Sequence, residues 1–249
     1  MRDYNQYERN GMTIPGLDKI ATEHLVKFVA SGTSGSFISY FELDEHTADA
    51  AIEAEIDYFS ALGKPFEWKV YDTDAPADIG RRLVQHGFEP GEPESFMALD
   101  LSAITAPLAE RDLCVEVTDE QGIGDAIAVQ EIVWGRDFSG QLTHLLDLKA
   151  ASPDSAAIYV VYDGSTPVSA AWIVSTDDSP FAGIWGGATV ARYRGKGYYS
   201  ALLHKRINDA RRKGVAYLII DASPMSRPIV EKYGFKFVTT TTPYSYETS

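Results

Sequence analysis

The sequence has a single cysteine, Cys114, in 249 residues. A lone thiol closes no internal disulfide and has no second sulfur for a zinc knuckle. Nowhere do apolar residues run unbroken for the roughly 18 positions that a membrane span needs, so no membrane partner is expected. Arg2 and Asp3 at the start have no apolar run behind them, which argues against a secretory leader and for a cytoplasmic protein. The five histidines, at 24, 46, 86, 144 and 204, lack metal-ligand spacing, and no metal is expected. Basic residues are outnumbered, 22 Lys and Arg against 36 Asp and Glu, for a formal net charge of −14. That balance excludes a general nucleic-acid binder, because neutralising phosphates needs a basic face.

What is present reads as a folded α/β chain. Hydrophobic residues make up 45% and charged residues 23%, close to the globular average, so disorder is not favoured. The length suits one to two domains with a real core. The charge is unevenly spread. Residues 1–110 hold 8 basic against 20 acidic residues, whereas Arg192 to Lys236 holds 11 against 3. A solvated helix face and a site for an anionic ligand both account for such a segment, and composition leaves both open.

Hydrophobic periodicity predicts strands at 24–29, 37–41, 66–71 and 96–101, a helix over Asp44–Leu62 stopped by Gly63, and a short helix over Ile79–His86. Ser102–Glu110 reads as a linker. Beyond it come a strand at 114–117, helices near 123–133 and 142–149, and strands at 157–162, 168–175 and 184–190. Asp163-Gly164 marks a hairpin between the first two of those three strands. A glycine loop at 192–197 leads into a helix over Tyr199–Arg212, then a strand at 216–220, a short helix and a last strand at 236–246. The order helix, Gly, strand, short helix, Gly-Phe, strand occurs twice, at 44–101 and at 199–246. Two related α/β units are expected, 1–110 and 111–249.

Arg192-Tyr193-Arg194-Gly195-Lys196-Gly197 lies between a strand and a helix. The first amides of a helix lack intrahelical partners and sit at the positive end of its dipole. A loop turning straight into the helix therefore presents them to an anion. Glycines at 195 and 197 remove the Cβ atoms that would hold a phosphate away. Tyr199, Leu202, Leu203, Ile207 and Ala210 form the helix's buried stripe, with Lys205, Arg206 and Arg212 expected to face solvent or ligand. A P-loop fails, because Gly197 stands where Ser or Thr must follow Gly-Lys. A dinucleotide fingerprint nearly fits, through Gly195, Gly197, Ser200 and Asp221. However, the 28 residues after Asp221 are too few for the rest of a doubly wound sheet.

A third pattern, Arg/Gln-x-x-Gly-x-Gly/Ala, fits better. With this loop, Gly214, the strand at 216–220 and the closing Glu231-Lys232-Tyr233-Gly234-Phe235, residues 113–240 resemble the GCN5-related N-acetyltransferase (GNAT) superfamily. The first half resembles the same fold in degenerate form. There the loop position reads Glu42-Leu43-Asp44-Glu45-His46, with seven carboxylates and no Lys or Arg between Glu42 and Asp57. The resemblance implies two GNAT-like units, each a mixed, mostly antiparallel sheet flanked by helices. It implies acetyl-CoA as acyl donor, held by Ala188, Thr189 and Val190 of the strand and by Arg192, Arg194, Gly195, Lys196, Gly197, Tyr198, Tyr199 and Ser226. The acceptor implied is a primary amine on a small molecule or peptide. The first half would serve structure, dimerisation or substrate selection.

The family often places Asn at the start of its last helix and a Tyr general acid seven positions on. This sequence has Ser223 and Val230 there, and valine cannot donate a proton. Ser223 and Tyr233, one turn beyond Val230, are the catalytic candidates. Glu131, Asp137 and His144 are candidate bases, and Trp134, Trp172 and Trp185 candidate pocket walls. Helix capping by the serines and core packing of Tyr233 remain competing readings. A non-catalytic acyl-CoA-binding module is the alternative to an enzyme.

Overall fold

Alternating apolar residues form strands and i, i+3, i+4 stripes form helices along nearly the whole chain. The computed structural model describes residues 1–32, 35–176 and 178–248. A short helix α1 (Arg2–Tyr4), continued by a wider helical turn over Asn5–Asn10, precedes β1 (Leu17–Ala21), β2 (Leu25–Ala30) and β3 (Ser36–Phe41). Next come α2 (Ala48–Leu62), β4 (Phe66–Tyr71), α3 (Ile79–Gln85), β5 (Glu89–Pro90) and β6 (Glu94–Asp100). The chain continues through β7 (Val115–Val117), α4 (Glu120–Trp134), α5 (Ser139–Ala151), β8 (Ala156–Asp163), β9 (Thr166–Ser175) and β10 (Phe181–Thr189). It closes with α6 (Tyr198–Arg212), β11 (Tyr217–Ala222), α7 (Arg227–Glu231) and β12 (Lys236–Tyr246). The α/β class expected from periodicity is the class observed. The N-terminal helical segment and β1 are additions that periodicity does not signal.

Two compact units result, and they do not follow the linear division at 110/111. Unit 1 comprises Met1–Met97, Asp221–Pro228 and Phe237–Ser249; unit 2 comprises Ala98–Ile220 and Ile229–Lys236. The last strand is the reason. Thr241–Tyr246 of β12 pairs antiparallel with Tyr71–Phe66 of β4, so the end of the sequence completes the sheet of unit 1.

In unit 1, β1–β2 and β2–β3 are antiparallel and β3–β4 parallel. Phe66, Trp68 and Val70, alternate residues of β4, pack with Ile38, Ile52, Phe59 and Leu83 in one core. Glu67, Lys69 and Tyr71 take the other face by the strand's period of two. A buried ion pair joins β2 to α2, Lys27 Nζ donating to Glu55 Oε2 at 2.7 Å. In unit 2, β7 through β10 form an antiparallel meander and β11 pairs parallel with β10. Its core gathers Val117, Ile123, Ile127, Leu145, Ile158 and Trp172.

Among the described residues a parallel strand pair is found in each unit, and each of the two is short. In unit 1 the register covers Ser36–Ile38 against Phe66–Trp68; in unit 2 it covers Phe181–Gly183 against Tyr217–Ile219. β3 and β10 both run on past the last paired residue, to Phe41 and Thr189.

Candidate active site

In unit 2, β10 ends at Thr189, a single tight turn covers Ala191–Tyr193, and α6 starts at Tyr198 with Gly197 as its cap. Gly195 and Gly197 have φ of +76° and +81°, a left-handed backbone that costs a residue with a Cβ about 1–2 kcal/mol. A Cβ on Gly195 would meet nothing within 4 Å, so the loop's outer side is open. Arg111 Nη1 donates to Lys196 O at 3.0 Å, and Arg194 Nε donates to Thr189 O at 3.1 Å. Arg192 and Lys196 both lie over the Tyr193 ring, at 5.0 and 4.8 Å from its centroid. The loop thus gathers cations around amides that α6 cannot satisfy itself, a cradle suited to a pyrophosphate.

The strand leading into the loop is shaped by a bulge. Its register with β9 shifts between Trp185 and Ala188, and Gly186 within the bulge has φ +60°. A Cβ on Gly186 would run into the Trp172 ring. Two buried side chains hold the bulge carbonyls: Gln130 Nε2 donates to Gly186 O at 2.6 Å, and Arg206 Nη1 reaches Trp185 O at 3.4 Å. Trp134 Nε1 in turn donates to Gln130 Oε1 at 3.3 Å. After the bulge Ala188 and Thr189 are buried against β9, and Val190 N donates to Val168 O at 3.0 Å.

Arg206 departs from expectation. The sequence reading turns it outward, yet it is only 1% exposed, with Nε on Leu202 O and, among the described residues, no hydrogen-bond partner for Nη2. Burial lowers its pKa. The remaining stripe residues Leu202, Leu203, Ile207 and Ala210 are buried as read. Lys205 and Arg212 instead hold Glu110 and Asp209. The segment read as a linker is docked on α6: Asn208 bonds both the carbonyl and the amide of Leu108, and His204 Nδ1 lies 2.8 Å from Ala109 O.

The acetyltransferase (GNAT) family matches residues 126–235 of this chain. A GCN5-related N-acetyltransferase from Kribbella flavida superposes with TM-score 0.69 at 14% identity, covering 94% of this chain and 91% of its own. The fold is GNAT. A functionally unknown conserved protein from Staphylococcus epidermidis is similar, with TM-score 0.67, 15% identity and 96% of each chain covered. So is a tandem GNAT protein from the clavulanic acid biosynthesis pathway, with TM-score 0.62, 11% identity, 95% of this chain and 85% of that one. No curated protein matches the sequence.

Within the GNAT frame, the residues singled out from the sequence divide between the units. The loop, Tyr198, Tyr199 and Tyr233 belong to unit 2, and Ser223 and Ser226 to unit 1. Ser223 Oγ accepts from Ser226 N at 3.3 Å and lies 3.2 Å from Ser226 Oγ, the turn-capping arrangement that serine favours. Val230 is fully buried. Tyr233 is half-buried and meets the His204 ring edge-on, centroids 4.9 Å apart. Asp137 bonds Ser139 at both N and Oγ, and Glu131 Oε1 accepts from Phe138 N. Burial lowers the His144 pKa. Gln130, Arg206 and Arg111 carry no motif, and sequence reasoning did not single out their roles around the bulge and loop.

Proposed function

We propose that this chain is an acetyl-CoA-dependent N-acyltransferase acting on a primary amine, with the coenzyme held by unit 2. The observation that carries the reading is the early end of the β10–β11 pairing next to a glycine loop. Pairing stops at Gly183–Ile219 while β10 continues to Thr189, leaving main chain on that side for the pantetheine arm. The loop amides and Arg192, Arg194 and Lys196 would take the pyrophosphate, with Tyr198 and Tyr199 in the first turn of α6. In the reaction the amine nitrogen attacks the thioester carbonyl carbon and the C–S bond breaks. The amine's proton goes to solvent or a base, and the thiolate takes one from an acid, a role assigned here to Tyr233. Ser223, which stands at the family's usual asparagine position, is the second catalytic candidate.

Unit 1 is read as the copy that does not bind coenzyme, because its equivalent features are already filled from within. At the start of α2, the Asp44 carboxylate accepts from His46 N and Thr47 N at 2.8 and 2.9 Å, where an anion would otherwise sit. Those bonds hold the Asp44 pKa below the usual range. Beyond the short β3–β4 register, Arg9 Nε donates to Ser39 O at 2.8 Å while its guanidinium lies 4.3 Å from the Tyr71 ring centroid. A second reading, a non-catalytic acyl-CoA-binding protein, draws on Val230 at the family's usual acid position.

Calorimetric titration with acetyl-CoA, with NAD as the control ligand, tests the reading. Acetyl-CoA should bind and NAD should not, and Gly197→Glu should abolish binding by placing a carboxylate at the cradle and a Cβ on a left-handed backbone. Equal affinity in that variant would overturn the loop assignment. An amine screen following thiol release then separates enzyme from binding module.

A further inference from the structure

The apolar stripe of α6 has one member that is not buried. Leu202, Leu203, Ile207 and Ala210 are buried, whereas Tyr199, in the first turn, is half-buried. Its ring reaches from the helix to β10. A Cβ built on Gly187 would stand 2.9 Å from Tyr199 Cε2 and 3.5 Å from its Oη. The ring therefore lies directly on the strand's main chain, and glycine at 187 leaves it room. Gly187 belongs to the bulge: with Gly186 it stands opposite the single residue Ala171, between the pairs Trp185 with Trp172 and Ala188 with Ala170. The extra residue of a bulge is left out of the ladder, and bulges re-aim groups next to active sites. Tyr199 thus joins the two parts of the proposed coenzyme site. One is the first turn of α6 beside the phosphate cradle, and the other is the stretch of β10 read as the path of the pantetheine arm.

We propose that Tyr199 is a further catalytic residue, its phenol O–H donating a hydrogen bond to the carbonyl oxygen of the bound thioester. The proposal rests on the coenzyme reading above. An arm that leaves the loop amides and runs back along β10 passes Thr189 and Ala188 and meets the Tyr199 ring at Gly187. Gly187 is two residues, about 7 Å, back from Thr189, so the acyl end and the phenol share this stretch of strand. When the amine nitrogen attacks the carbonyl carbon, the C=O π pair moves onto oxygen, and a donor already in place stabilises that charge. The phenol keeps its proton throughout. The oxyanion collapses, the C–S bond breaks, and the thiolate takes its proton from Tyr233 as above. A ring that served packing alone would need no hydroxyl, because phenylalanine fills the same space over Gly187. The hydroxyl gives the stripe a polar end at the bulge, where a reacting carbonyl needs a donor.

The test takes the full chain with acetyl-CoA isotope-labelled at the acetyl carbonyl, read by difference infrared spectroscopy, beside calorimetric titrations with acetyl-CoA and with coenzyme A. Bound to the unaltered protein, the carbonyl band should lie at lower wavenumber than in free acetyl-CoA, because hydrogen-bond donation weakens the C=O bond. Tyr199→Phe keeps the ring on Gly187 and removes only the donor. Its bound carbonyl band should return to the free position or above it. Acetyl-CoA should bind that variant more weakly by up to about tenfold, the range of one neutral hydrogen bond. Coenzyme A has no acyl carbonyl and should bind both proteins alike. Tyr233→Phe, which removes the thiolate's donor, should leave the carbonyl band in place. Failure of the unaltered protein to bind acetyl-CoA would overturn the coenzyme reading and this proposal with it. Binding with an unshifted band, a shift that survives in Tyr199→Phe, or equal weakening of acetyl-CoA and coenzyme A would overturn the role of Tyr199 alone.

Discussion

Arg9 shows how much a single side chain can decide. Its guanidinium forms a two-pronged pair with Asp74 at 2.7 and 2.8 Å, and the two side chains are 3% and 5% exposed. A buried pair is weak evidence for stability, but breaking one strands a charge. Arg9→Ala should therefore cost about 3–5 kcal/mol, measured as a shift in urea midpoint. Adding Asp74→Asn to that variant should recover part of the loss; no recovery would mean that Arg9 acts through its other contacts, the Ser39 carbonyl and the aromatic rings. Glu94 makes a prediction of opposite character. An ordinary glutamate titrates near 4.5, whereas the folded-state value here is about 7. Between those values the folded chain keeps a proton that the unfolded chain releases, so stability from this group falls as pH rises from about 4.5 to about 7. Glu94→Gln should flatten that part of the stability-pH curve, and an unchanged slope would show that the carboxyl is better solvated than its position implies.

At the scale of elements, α6 and β10 show which features the sequence makes legible and which it hides. The helix bounds, the glycine loop and the strand on either side follow from periodicity and from turn chemistry local to the chain. The burial of Arg206 does not, although position 206 falls three and four residues after Leu203 and Leu202 and so lies in the stripe. Its charge argued for solvent, and the carbonyls of Leu202 and of Trp185, the latter at a bulge 21 residues away, make an inward guanidinium tolerable. The bulge itself has a faint trace in the sequence, the pair Gly186-Gly187 within a strand, but nothing marks Gln130 as its partner. Because, among the described residues, Arg206 gains one long bond to the sheet and Nη2 finds no partner, Arg206→Met should be neutral or stabilising by about 1 kcal/mol. A loss above about 2 kcal/mol in chemical denaturation would show that its hydrogen bonds outweigh its desolvation.

For the whole molecule, strand order along the chain misleads about what folds with what. Each strand of the second half is visible in the sequence, including the last one, but pairing between strands is a long-range property that no local pattern encodes. β12 lies at the end of the sequence and pairs with β4 over six residues, while Ile229–Lys236, just before it, belongs to unit 2. Ending the chain at Lys236 should therefore injure the unit that is remote in sequence. β4 would lose its partner over Phe66–Tyr71 and offer an open edge for aggregation. Hydrogen exchange should show amides of β3 and β4 falling to the protection of fraying segments. Amides of β8 and β9, paired with each other over Ala156–Asp163 and Thr166–Val174, should stay protected. If protection instead fell in β8 and β9 and held in β4, the C-terminal strand would be serving unit 2, and the two halves would be the self-contained segments that their linear echo suggests.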